Sequence, residues 1–227
     1  MEHTSLRTNS RTVSSNQHHV HPKLARLVLK HLASTYRRPV AGHNRDAYQR
    51  LCDRLAQAKT PLVLDSFCGT GHSTLQLARQ FPDALVVGVD KSARRLARHP
   101  EDGAENLLLL QADCEDIWQQ LVADGHQIEH HYLFYPNPWP KAKHLQRRVH
   151  GHGSFPLLLK LGGSITLRSN WQIYVEEFGL ALHLCGRHGV VSIVDARQPI
   201  SLFERKYQES NQILWQYQAA KLENAAP

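Results

Sequence analysis

"PLVLDSFCGTGHSTLQLA" (Pro61–Ala78) decides the fold of this chain. A short apolar run, Leu62 to Leu64, ends at Asp65, and Gly69 and Gly71 follow before an amphipathic stretch begins near Ser73. An apolar run of that length bounded by turn residues reads as a buried strand, and the change of period after Gly71 reads as strand, tight turn and helix. Outward from this stretch the same pattern recurs. "ALVVGVD" (84–90), "NLLLLQAD" (106–113), "HYLFYPN" (131–137) and "GSITLRSN" (163–170) each run apolar and end at a polar residue, with room for crossover helices between them. The spacing predicts an α/β, Rossmann-like, mostly parallel sheet. Such sheets bind ligands at the carboxyl ends of their strands, where Asp65, Asp90, Asp113, Asn137 and Asn170 fall.

Upstream, "PKLARLVLKHLASTYRR" (22–38) carries Leu24, Leu27, Val28 and Leu32 at helical spacing, and "NRDAYQRLCDRLAQAK" (44–59) repeats the pattern with Tyr48, Leu51, Cys52 and Leu55. Downstream of the helical run "WQIYVEEFGLALHLCG" (171–186) come "GVVSIVDA" (189–196) and "QILWQYQAA" (212–220). With no amphipathic helix read between them, these two strands are expected to close the sheet as an antiparallel hairpin, an ending usual for methyltransferases and unusual for dinucleotide dehydrogenases. The division expected is a flexible arm over residues 1–21, one domain over 22–220 with a helical preamble (22–60) and a Rossmann-like core (61–220), and a tail over 221–227. The arm offers little to bury against the entropy of ordering it.

Composition narrows the class. The 227 residues hold 27 Lys and Arg against 20 Asp and Glu, a formal charge of +7, with 16 histidines in addition. That balance favours a polyanionic partner. No apolar run reaches the length of a membrane span, and the polar start lacks a signal-peptide core, so a cytoplasmic protein is expected. Cys52, Cys68, Cys114 and Cys185 are widely separated and are expected as free thiols. The histidine groups around His18, His130 and His150 match no standard ligand spacing, so no metal is expected.

Three ligands compete for the glycine turn. A triphosphate loop needs a lysine after its last glycine, and none stands there. A dinucleotide site wants a small residue where Thr74 stands, and Asp65 would repel a pyrophosphate. S-adenosylmethionine has no phosphate and carries positive sulfonium and ammonium groups, so an acidic residue helps it. In that reading Asp65, Gly69 and Gly71 form the loop, Asp90 accepts hydrogen bonds from the ribose hydroxyls, and Asp113 takes the adenine amino group.

From about Leu62 onward the chain resembles the bacterial tRNA (guanine-N7-)-methyltransferases. In that family the fourth strand ends in P-D-P-W followed by a Lys and a basic run; here stand Pro136, Asn137, Pro138 and Trp139, then Lys141, Lys143, His144, Arg147 and Arg148. The family's T-D with a following Tyr is matched by Ser169, Asn170 and Tyr174, and its T-x-F-E by Ser201, Leu202, Phe203 and Glu204. The resemblance implies S-adenosylmethionine as cofactor and guanine N7 in the tRNA variable loop as acceptor. It places Asn137 in the catalytic position beside cofactor and base. Lys141, Asn170, Ser201, Phe203 and Glu204 would face the base, and Lys143, Arg147 and Arg148 the RNA phosphates. Two family aspartates are asparagines here, Asn137 and Asn170, so each offers one acceptor and one donor face in place of two acceptors. Two other readings stay open on the residues alone: methylation of another base or a small molecule, and a non-catalytic RNA-binding paralogue.

Overall fold

Each of the five apolar runs forms a parallel strand in the computed structural model, which describes residues 10–58, 60–100, 103–195 and 198–221. The strands are β1 (Leu62–Ser66), β2 (Leu85–Asp90), β3 (Leu107–Gln111), β4 (His130–Phe134) and β5 (Ser164–Ser169). β6 (Val190–Ile193) and β7 (Trp215–Ala219) complete one sheet of order β3-β2-β1-β4-β5-β7-β6, in which β7 runs antiparallel to both β5 and β6. Successive side chains of β1 leave on opposite faces. Leu62 and Leu64 therefore join the larger core while Val63 packs with Leu77, Val86 and Phe134 on the other side.

The helices are α1 (Leu24–Leu32), α2 (Gly42–Ala58), α3 (His72–Gln80), α4 (Ala93–Leu96), α5 (Cys114–Ala123), α6 (Phe155–Lys160), α7 (Gln172–Leu184) and α8 (Leu202–Gln208). Two short 3-10 segments, Ala142–Arg147 and Val149–Gly151, lead from the loop after β4 into α6. Among the described residues no helix is long and apolar enough to cross a membrane, and no group of three or more His, Cys, Asp or Glu side chains is arranged to hold a metal ion.

α1 spans the apolar stripe read from the sequence, Leu24 to Leu32, with Leu32 itself 39% exposed. Two expectations are corrected. A helix, α8, stands between the terminal strands. Its amino end is fixed by Ser201, whose Oγ accepts a hydrogen bond from the Glu204 amide, a capping interaction that a seven-residue polar segment needs to hold its first turn. Finally, Ser10 to His21 are not a free arm. Ser10 N donates to Ser210 Oγ, Ser15 Oγ to the Pro140 carbonyl, and Ala142 N to Asn16 Oδ1. Residues 1–9, with Arg7, and the tail from 222 lie outside the described residues.

The arm is held by a buried carboxylate. α7 is lined by Tyr174, Val175, Phe178, Ala181 and Leu182, all buried, and Glu177 sits fully buried among them. A charge there is tolerable only when paired and hydrogen-bonded. Glu177 Oε1 accepts from Gln17 Nε2 (2.6 Å) and from the His21 amide (2.8 Å); Oε2 accepts from Arg148 Nη1 (2.5 Å) and His150 Nε2 (2.9 Å). Burial disfavours the charge, but the hydrogen bond from His150 and the Arg148 guanidinium outweigh it and hold Glu177 down to about 2. Its stabilising contribution is thus present above the ordinary carboxylate range and lost as pH falls through about 2.

Arg148 is therefore not a phosphate ligand, contrary to the sequence expectation. Its side chain is fully buried, it also donates to Gln17 Oε1 and the Trp139 carbonyl, and its guanidinium lies 4.8 Å above the Trp171 ring. Arg148→Ala should lower unfolding stability by about 3–5 kcal/mol by stranding a buried carboxylate. Arg147→Ala, one residue earlier and exposed, should change it by less than about 0.5 kcal/mol. Urea unfolding of the two variants checks the contrast, and equal effects would contradict it.

Candidate active site

At the carboxyl end of β1, Asp65 is wholly buried, and its Oδ2 accepts hydrogen bonds from Ser73 Oγ and Thr74 Oγ1, each at 2.7 Å. The carboxylate thereby fixes the first turn of α3 against β1. Its Oδ1 has no partner. Burial raises the Asp65 pKa to about 7, with the two hydroxyls offsetting part of the effect. The loop between them turns on residues of positive φ: Phe67 (63°), Gly69 (62°) and Gly71 (76°). Glycine is required at Gly71, because a Cβ there would lie 2.6 Å from His99 Nδ1 in addition to the backbone strain.

Asp90, the last residue of β2, reaches this loop. Its Oδ2 accepts from the Gly69 amide (3.0 Å), while Oδ1 accepts from the Ser92 amide (2.8 Å) and pairs with Arg95 Nη2 (3.1 Å). Asp113 stands at the N-cap of α5, part-exposed, and pairs with Arg38 at 3.4 Å. Asp65, Gly69, Gly71, Asp90 and Asp113 thus line the adjoining ends of β1, β2 and β3 in the arrangement expected. Arg38 and Arg95 were not anticipated, since their carboxylate partners are recognisable only once the strand ends are side by side. The set fits a ligand that is cationic at one end and rich in hydroxyl and amino donors. Asp65 Oδ1 is an unsatisfied buried acceptor, and acidic groups on successive strand ends supply acceptors without a phosphate-binding lysine.

The loop after β4 forms the facing wall. Tyr135 (φ 54°) and Trp139 (φ 44°) are strained on either side of Asn137, so three of the four non-glycine residues with positive φ among those described lie in the β1 and β4 loops. Strain of this kind persists where surrounding structure enforces it. Asn137 is exposed, and its Oδ1 accepts from the Trp139 amide at 3.3 Å. Lys141, Lys143 and Arg147 are exposed, with the Arg147 guanidinium 4.7 Å from the Trp139 ring centroid.

α8 joins the two walls. Phe203, 43% exposed, comes within 3.9 Å of where a Gly69 Cβ would be, and Tyr207 packs between Tyr135 (5.4 Å) and Phe203 (6.2 Å). Glu204 is fully buried and does not face an acceptor base as expected. Its Oε2 takes the Tyr135 hydroxyl (2.9 Å) and both oxygens take Arg168 Nη1, so its lone pairs are committed to holding α8 against β4 and β5. Ser201 is likewise engaged as the α8 cap. Tyr135 and Arg168 are the site residues that sequence reading missed. Asn170, after β5, donates from Nδ2 to Gln212 Oε1 (2.8 Å), and Gln212 Nε2 donates to the Ser10 carbonyl (3.1 Å), so Asn170 anchors the arm across the site.

A mostly parallel sheet closed by an antiparallel hairpin, with polar side chains at the ends of β1 to β5, is the class I methyltransferase architecture. Residues 59–216 match the Methyltransf_4 family, described as "Putative methyltransferase", and the chain belongs to that family. A protein named tRNA (guanine-N(7)-)-methyltransferase from Mycobacterium avium (strain 104) is 34% identical over 126 residues, 52% of this chain and 48% of the relative. One of the same name from Pseudomonas fluorescens (strain SBW25) is 27% identical over 184 residues, 75% of this chain and 76% of the relative. A third, from Thermus thermophilus, is 33% identical over 154 residues, with 65% and 48% covered. The match thus spans about half the length of the Mycobacterium and Thermus relatives.

Among solved structures, an antibiotic-related methyltransferase superposes with a TM-score of 0.58 at 10% identity, covering 83% of this chain and 97% of that one. A 16S rRNA (adenine(1408)-N(1))-methyltransferase from Catenulisporales acidiphilia, a mutant solved with its cosubstrate SAM, gives 0.54 at 17% identity, covering 79% and 93%. These two structures share the fold.

Asn170→Asp should loosen the arm, because a carboxylate cannot donate to Gln212. Whichever way the Gln212 amide turns, either its bond to residue 170 or its bond to Ser10 is lost. Faster amide hydrogen exchange over residues 10–17 is the expected outcome, and unchanged protection would show that Asn170 does not anchor this segment.

Proposed function

We propose that this chain is an S-adenosylmethionine-dependent methyltransferase that forms 7-methylguanosine in the variable loop of tRNA, in the cytoplasm. The observation that carries the reading is the convergence at one end of the sheet. α8 brings Phe203 onto the Gly69 loop and ties Glu204 to Tyr135, two residues from Asn137. Loops after β1, β2 and β3 that fit this cofactor are thereby joined to loops after β4 and β5 that carry the residues on which the resemblance to the tRNA (guanine-N7-)-methyltransferases rests.

S-adenosylmethionine, when bound, supplies a methyl group on a positively charged sulfur. Asp65 Oδ1 would hold the ammonium group, Asp90 the ribose and Asp113 the adenine amino group, with the Arg38 and Arg95 side chains moving aside from their carboxylates. Guanine N7 has a free lone pair in the neutral base, so the chain needs no general base. What it supplies is placement of the acceptor in line with the methyl group and exclusion of water. Asn137 can do this with its amide: Oδ1, which accepts from the Trp139 amide, has a second lone pair for a hydrogen bond from the guanine N1–H or amino edge, and the flanking prolines restrict its backbone. Lys143 and Arg147 hold phosphates. The buried Glu204–Arg168–Tyr135 cluster keeps the strained Tyr135 turn, and hence Asn137, in place.

Two outcomes test the reading. Asp65 is charged above about pH 7 and neutral below it, so affinity for S-adenosylmethionine should rise with pH through that point, by about tenfold between roughly pH 6 and 8. Calorimetry on the native chain and Asp65→Asn measures it; a pH-independent affinity in the native chain would remove Asp65 from the ammonium site. Asn137→Ala should cost about 1–3 kcal/mol of transition-state stabilisation, or roughly 5- to 150-fold in kcat/KM, while Asn137→Asp keeps or raises activity. Transfer of labelled methyl to bulk tRNA provides the assay, and an alanine variant as active as the native chain would sink the role of Asn137.

A further inference from the structure

We infer that Lys23, at the N-cap of α1, together with Arg26 and Lys30 on the helix's outward face, is a second RNA-backbone site continuous with the basic loop after β4; the inference rests on the tRNA reading above. α1 buries Leu24 and Val28 completely, and the three cations stand exposed on the opposite side at a spacing of three and four residues. That spacing puts them in one row along the helix, about 10 Å from first to last at 1.5 Å per residue. A nucleic-acid strand carries a phosphate at roughly 3 Å of axis, so the row spans several consecutive phosphates.

An ordinary solvated helix carries acidic partners among its cations. Here no Asp or Glu occurs anywhere from Ser10 to Arg45, and none of the three cations forms an ion pair among the described residues. The row is also placed beside the first site. His31 Nε2 lies 3.2 Å from the Gly151 carbonyl, and α1 packs on the Val149–Gly151 turn, α6 and α7. Gly151 is four residues after Arg147, at most about 14 Å of chain. The segment from Lys141 to Val175 is free of carboxylates as well. The two segments meet at this contact, where the Glu115 carboxylate of α5 is close enough to act on His152 and Tyr36; the inferred track runs past it, from the Lys141–Arg147 loop onto the outward face of α1. Leu29 and Leu32, 52% and 39% exposed, interrupt the row with apolar surface but bring no negative charge.

The position of the row, away from Asn137, assigns it to binding the body of the RNA and not to the methylated base. The test is filter binding of full-length tRNA over a range of salt concentrations, with steady-state methylation, for the native chain, the triple variant K23Q/R26Q/K30Q and the conservative K23R/K30R. The triple variant should show a log–log salt slope shallower by up to about 2.7, at about 0.9 per lost phosphate contact, and a raised KM with little change in kcat. K23R/K30R should keep the native slope. All three side chains are exposed, so the melting temperature should be unaltered. A native chain that binds and methylates tRNA alongside a triple variant of equal slope and KM would overturn this inference and leave the enzyme reading standing. A native chain that binds no tRNA would overturn both. Should the triple variant keep its tRNA slope but lose cosedimentation with anionic phosphatidylserine vesicles, α1 would be a lipid-facing helix and the inference would again fail.

Discussion

The Glu177 carboxylate is the point on which the surroundings of the active site depend. It lies in the apolar interior of α7, where an unpaired charge costs several kcal/mol, and it is satisfied by groups from two separate segments: Gln17 and His21 from the amino-terminal arm, and Arg148 and His150 from the loop after β4. Neither of those segments has a regular hydrogen-bonding ladder to hold it. Removing any partner leaves Glu177 short of a bond in a buried region, so the arm, the basic loop and α7 are fixed together. α1 follows directly from His21 and inherits this position. The charge that a reader of the sequence would assign to RNA at Arg148 is thus spent inside the protein, and Lys141, Lys143 and Arg147 are displayed because Arg148 is not.

A second pair of buried carboxylates organises the reacting end. Asp65 ties the β1 loop to α3 and keeps one oxygen without a partner, whereas Glu204 commits both oxygens to Arg168 and Tyr135. The difference in satisfaction matches the roles proposed: an open acceptor for a cationic ligand in the first, a rivet between α8, β4 and β5 in the second. Phe203, carried by the same short helix, then touches the β1 loop. Phe67 follows Asp65 by two residues and Tyr135 is bonded to Glu204, so two of the strained turns adjoin these anchors, which is where a stored backbone cost can be sustained.

The strands and their order of use were legible in the sequence because each buried run ends at a polar residue, and a parallel sheet brings those ends to one side. Asp65, Asp90, Asp113, Asn137 and Asn170 are assigned to that end of the sheet by that rule alone. What was not legible depends on partners far apart in the chain. Arg147 and Arg148 are chemically equivalent as neighbours in a basic run, and only Glu177, 29 residues beyond Arg148, separates their fates. The arm read as disordered because its residues are polar, yet its order comes from polar bonds to Glu177, Pro140 and Gln212 and not from apolar burial. α8 is a different case. Ser201 and Glu204 form an S-x-x-E capping pattern visible in the sequence, and their resemblance to a substrate motif drew the reading away from the local signal.

The central claim, that these loops deliver a methyl group to guanine N7, is tested most directly by identifying the product. Purified chain incubated with isotope-labelled S-adenosylmethionine and unmodified tRNA, followed by nuclease digestion and mass spectrometry of the nucleosides, should place the label in 7-methylguanosine. Label in a different nucleoside would contradict the assignment of the acceptor, and the absence of label from tRNA, with the cofactor bound, would contradict the assignment of the enzyme.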